Sequence, residues 1–179
     1  MEEIEIPTEH LHEHINEQAK ERKEKWSLYV ALSTALMAVF AAVCGLIAGH
    51  HANEALIEQI KSANQWSYFQ SKSIKSEIAA SENRIISRLS SKPADKEDNQ
   101  KIERYEKEKE ELKKSAEESE KQSEIHLNKH NILARGVTLF QIAIAMAAIA
   151  ILTRIRPLWG ISIILAVAGC FFLFQGTVL

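Results

Sequence analysis

The stretch WSLYVALSTALMAVFAAVCGLIAG, from Trp26 to Gly49, holds 24 residues without a single charge. About 20 apolar residues in helical geometry cover the hydrocarbon core of a bilayer, so residues 26–49 predict a transmembrane helix. The 25 residues before it carry eight Glu, and the apolar run exceeds the ~7–15 residues of a signal-peptide core. Residues 1–25 are therefore expected to be a cytoplasmic N-terminal helix leading into a permanent anchor, with Leu11, Ile15 and Ala19 along one stripe. At the other end of the chain, the apolar block from residue 136 onward is interrupted only by Arg154, Arg156 and Pro157. It divides into second and third spans at 136–153 and 157–177, paired as a tight helical hairpin. Three such runs in 179 residues leave too little other protein to bury them away from water, so a lipid bilayer is the expected surrounding.

Residues 50–135 have the opposite character. They contain 16 Lys plus Arg and 16 Asp plus Glu, a balance that leaves no basic footprint for nucleic acid. The interleaved signs from Glu103 to Lys114 suit a solvated helix with (i, i+4) ion pairs. Pro93 lies near the centre, with Ser90 and Ser91 able to end one helix and Asp95 and Asp98 able to start the next, so a turn is expected near 91–95. The expected fold is an all-α membrane protein: three transmembrane helices, with a long, coiled-coil-like antiparallel hairpin between the first and second. Ile60, Ile74, Ile78, Ile85 and Leu89 form the expected inner stripe of the first arm, interrupted by Ser67, Ser71 and Ser81. Ile102, Tyr105, Leu112, Ala116 and Leu133 form that of the second, interrupted by Lys109, Ser119 and Ser123. A seam this polar is marginal for an isolated pair. With paired numbers summing to roughly 185, Trp66 would face Ser115, Ala116 and Ser119. Trp66, Tyr68 and Phe69 cannot all face one partner, because successive helical residues are turned ~100° apart.

The cluster QWSYFQSKSIK (65–75), following an acidic helix, one anchor and EALIEQIKSAN, and preceding a Lys/Glu-rich arm and a terminal helical pair, resembles a family of uncharacterised bacterial inner-membrane proteins known as a domain of unknown function. The resemblance rests on Gln65, Trp66, Tyr68, Gln70, Lys72 and Lys75, with Phe69 a conservative aromatic variation, and extends over most of the chain. It implies bacterial origin and topology and no activity.

Chemistry-bearing residues are sparse. His10 and His14 share a helix face at a spacing able to hold a divalent metal, although a solvated polar helix is the simpler reading. In the hairpin register His126 and His130 fall near Glu58 and Ala55. Glu54, Glu58, His126 and His130 are thus the candidate metal ligands, with His50 and His51 nearer the membrane. Ordinary ion pairs explain the same residues. No G-x-S-x-G, phosphate-binding glycine loop, HExxH or dinucleotide fingerprint occurs, so neither catalysis nor a cofactor is expected. The spans lack Asp, Glu, Lys, Arg and His, and interhelical hydrogen bonds are the expected use of Ser33, Thr34, Thr138, Gln141, Ser162 and Gln175, without an ion path. Cys44 and Cys170 read as small apolar fillers. Small residues at Ala38 and Ala42, at Ala41, Gly45 and Gly49, and at Ala143 and Ala147 favour close helix approach.

Lys20, Arg22, Lys23, Lys25, Arg154 and Arg156 outweigh Lys61, Lys121, Lys129 and Arg135 beside the spans, which places the N-terminus in the cytoplasm and the hairpin in the periplasm of a bacterial inner membrane. The function expected is that of a non-catalytic, homo-oligomeric scaffold or interaction subunit. Its interaction residues would be Trp66, Tyr68, Phe69, Ala41, Gly45 and Gly49, and other membrane proteins are further candidate partners. The competing classes are a channel or transport-associated protein whose pore forms on assembly, and a metal-responsive sensor.

Overall fold

Three prolines, Pro7, Pro93 and Pro157, divide the sequence where a helix interior cannot tolerate them. The computed structural model describes the backbone of residues 8–90 and 96–178, and side chains over 25–89 and 99–178. The expected turn at 91–95, the Asp95 cap with Asp98, and the side chains of Leu11, Ile15, Ala19, His10 and His14 lie outside the described residues. Helix α1 runs from Thr8 to Ser90, α2 from Lys96 to Thr153 and α3 from Arg156 to Val178, and no strand occurs among the described residues. Each helix contains a segment long and apolar enough to cross a membrane.

The expected separate first transmembrane helix is corrected by this arrangement, because α1 continues through residues 26–49 without a break. The only residue in its path with poor helix propensity near the expected exit is Gly49. One such glycine costs about 1 kcal/mol, too little to end a helix that continues into Ala52, Glu54, Ala55 and Leu56. At the other apolar end, α2 stops at Arg154, whose φ of 59° is left-handed, and α3 restarts with Pro157 in its first turn, where the missing N–H is no loss.

The described residues up to Ala48 and from Asn131 onward form one compact unit, and Gly49–His130 form another. In the first, Met37, Cys44 and Ala48 of α1 pack with Leu133, Phe140 and Ala143 of α2. The Cys44 thiol donates to the Leu133 carbonyl at 3.2 Å, and Phe40 stacks on Phe140 with centroids 6.1 Å apart. Helix α3 presents Ser162, Gly169 and Gly176, seven residues apart, as its buried column. A Cβ at Gly169 would lie 3.1 Å from the Phe140 ring, and one at Gly176 2.6 Å from Leu133 Cγ, so large side chains of α2 sit in the notches these glycines leave. The hydroxyls of Ser33, Thr34, Thr138 and Ser162 bond carbonyls of their own helices, and Trp159 Nε1 donates to Ser33 Oγ at 3.2 Å. Four of the six polar span residues thus bond within their own helices instead of across helices as expected, and Ser33 also takes the interhelical bond from Trp159.

Candidate functional site

The unit Gly49–His130 is an antiparallel pair formed by the polar parts of α1 and α2. Its inner face on α1 follows a strict 4–3 spacing: Ala55, Ser62, Ser76 and Asn83 are buried, while His51, Glu58, Gln65, Phe69, Lys72 and Ala79 are half-buried between them. On α2 the matching positions are Ile102, Tyr105, Lys109, Leu112, Ala116, Ser119, Ser123 and His126. The second arm therefore uses the stripe expected from sequence except at Leu133, which belongs to the core of the apolar unit. The first does not. Ile60, Ile74, Ile78, Ile85 and Leu89, expected inside, are exposed by 53% or more.

A polar seam of this kind is held by specific bonds. Ser123 Oγ donates to the Ala55 carbonyl at 2.8 Å, Gln65 Nε2 to Ser115 Oγ at 2.6 Å, and Ser76 Oγ to Glu106 Oε1 at 2.7 Å. A hydroxyl reaching a main-chain carbonyl of the facing helix requires close backbones, which is why Ala and Ser, not Ile, occupy the buried positions. Lys72 pairs with Glu108 and lies 5.3 Å from the Tyr105 ring centroid, while Lys109 Nζ lies 5.8 Å from that of Phe69. The hydrogen bond from Lys72 holds the Glu108 carboxyl below the usual range, and the bond from Ser76 does most to lower that of Glu106. Among the described residues, Gln65 Oε1 and Asn83 Nδ2 are buried without a hydrogen-bond partner. An unpaired buried polar group costs about 1–3 kcal/mol, so this pair is weakly held for its length.

These contacts displace the register from the expected sum of 185 to about 180, or one to two turns along the partner. The aromatic cluster shifts accordingly. Phe69 takes the seam position, Trp66 flanks it with ring centroids 5.5 Å apart, and Gln65, not Trp66, meets Ser115. Tyr68 remains 64% exposed and lines an open groove of about 440 Å³ with Lys72, Glu108, Glu111, Leu112 and Ser115. In the apolar unit, Ala41 packs on the core, and a Cβ at Gly45 would lie 3.9 Å from Val137 Cγ2. In the polar unit, Gly49 is open on its side-chain face.

The same displacement decides where the candidate metal ligands lie. His126 faces His51, with Nδ1 atoms 3.0 Å apart, instead of Glu58. Glu58 bonds Lys61 and Ser119, and the Lys61 bond does most to lower its carboxyl. Among the described residues, no group of three or more His, Cys, Asp or Glu is placed to hold a metal ion.

Burial pushes the His51 imidazole below its ordinary range, as do His126 and Lys129 on α2 and His50 beside it, with Glu54 opposing. The unfolded chain therefore binds a proton at His51 more readily than the folded one. The contribution is intact above the ordinary histidine range, near pH 6.5, and is lost as pH falls through the lowered value. Thermal melts should show a lower transition at pH 5.5 than at pH 7.5, and His51→Gln should flatten that dependence. An unchanged slope in the variant would assign the effect elsewhere.

An all-α chain with three helices of membrane-crossing length and a polar helical pair defines a class by composition and architecture. Residues 26–179 match the family described as Domain of unknown function (DUF4337), and the chain belongs to it. No curated protein and no solved structure matches the chain.

Proposed function

We propose that this is a multi-pass protein of a bacterial inner membrane that works as a non-catalytic, self-associating scaffold, with its polar helical pair on the periplasmic side. The observation that carries this reading is the inverted polarity of that pair: Ser62, Ser76 and Asn83 are buried while Ile60, Ile74, Ile78 and Ile85 are exposed. A water-exposed helix with such a stripe is incomplete as a monomer, because exposed apolar surface of this extent marks an interaction face. Uncharged runs at 26–49, 136–153 and 157–177 support three membrane crossings. Arg154 supports the orientation. It occupies a left-handed position where glycine is favoured, and together with Arg156 it supplies positive charge to the short turn between the second and third crossings.

Side-specific thiol labelling tests the membrane disposition. In a background with Cys44→Ala and Cys170→Ala, a reporter at Glu110→Cys should label from the periplasm and one at Glu2→Cys only after the cytoplasm is opened. Labelling of both from one side would contradict three crossings. Reversed labelling would keep the crossings and invert the orientation. Subunit counting tests the self-association.

A further inference from the structure

Helix α1 carries a second heptad seam back to back with the one facing α2. Ile57, Asn64, Ser71, Ile78 and Ile85 form one seven-residue series, and Ile60, Ser67, Ile74 and Ser81 the other, alternating by three and four. Each position lies two residues beyond a position of the inner seam, a turn of about 200°, so this face points away from α2. None of the nine residues is charged, although the segment from 50 to 135 carries 32 charged side chains. The five isoleucines are 45–61% exposed; the next position of the alternation, Arg88, ends the uncharged run, and Leu89 beside it is 82% exposed.

Building on the self-association reading, we propose that this face is the docking surface for a second copy of the same chain, forming a parallel, in-register coiled coil of α1 with α1. Copies inserted in one bilayer with one topology are related by an axis along the membrane normal. Identical faces then meet in parallel with each residue opposite its counterpart. Asn64 falls in the series that also contains Ile57, Ile78 and Ile85, where paired asparagines across a parallel axis fix register and favour two strands. The five exposed Ile side chains each show on the order of 100 Å², so two copies offer about 1,000 Å², the threshold a specific interface has to clear. At the flanks, Glu77 would lie near Glu82 of the second copy, and Arg84, 3.1 Å from Glu77 in its own chain, neutralises that approach.

Disulfide trapping in membranes containing the full chain tests the face. In the Cys44→Ala, Cys170→Ala background, Asn64→Cys and Ile78→Cys should oxidise to covalent dimers. Paired positions of such a seam meet the Cα separation of about 4.4–6.8 Å that a disulfide requires. Gln59→Cys and Ser87→Cys, exposed on α1 but off the face, should give at least about tenfold less, because only contact raises the local thiol concentration. All four substitutions are at exposed positions, so loss of folding does not obscure the comparison. Linkage stronger at the control positions, in a protein that is multimeric by mass, would overturn this interface and leave self-association standing. A monomeric mass would overturn both. Capture of a chain of different mass through Ile78→Cys would assign the face to another protein and overturn the homotypic pairing.

Discussion

Gly176→Leu is expected to separate α3 from α2 and to be among the most damaging single changes in the apolar unit. A Cβ alone at this position would lie 2.6 Å from Leu133 Cγ and 2.8 Å from Leu133 Cδ2. Leu133 has little freedom to withdraw, because it is fully buried and its carbonyl accepts the Cys44 thiol. In the proposed membrane setting the added side chain would gain nothing from leaving water, so the effect would be almost purely steric. Overpacking typically costs about 1–3 kcal/mol, and a leucine in a glycine notch belongs at or above the upper end. Thermal stability by size-exclusion of detergent-extracted protein should drop sharply. Leu133→Ala in the same chain should restore part of it, since contacting residues couple. Equal losses in the single and double variants would show that the notch does not hold Leu133.

Ala116→Leu should have a comparable effect on the polar unit. Ala116 is fully buried at the level where Ser119 and Ser123 are also buried, and the Ser123 hydroxyl reaches the Ala55 carbonyl at 2.8 Å. A leucine cannot enter a seam built for Ala and Ser without spreading the helices and breaking that bond. The expected loss is about 1–3 kcal/mol, read as faster amide hydrogen exchange over residues 50–90 and 96–130. Leu89→Ala, at a side chain 82% exposed, should leave exchange in the two arms nearly unchanged. Similar exchange in the two variants would contradict the small-residue seam.

The contrast between these arms shows what the sequence makes legible. Helix type, the apolar segments and the α2 stripe follow from composition and periodicity, because Ile102, Tyr105, Leu112 and Ala116 have no competing apolar face on their helix. On α1 two faces have heptad spacing, and a rule that places isoleucine inside selects the wrong one. The signal for the correct choice lies in the partner: Ala116, Ser119 and Ser123 demand small residues opposite, which Ala55 and Ser62 supply. Register depends on that choice, which explains why His126 meets His51 and not Glu58. In the apolar unit, the small-residue repeats are legible in part: Ala143 and Ala147 are fully buried, whereas Ala38 and Ala42 are exposed. The buried column of α3 is Ser162, Gly169 and Gly176, whose spacing of seven is its signal in the sequence. The continuity of α1 is hidden in the sequence by the change from apolar to polar composition after Gly49. Backbone hydrogen bonding is indifferent to that change, and no proline enforces a break.

Native mass spectrometry of the untagged protein, extracted gently and held in native lipid discs, measures the central claim directly. Self-association through the exposed α1 face predicts a particle containing two copies of the 20.2 kDa chain, or an even multiple of them. A single copy as the sole species under those conditions would contradict the scaffold reading.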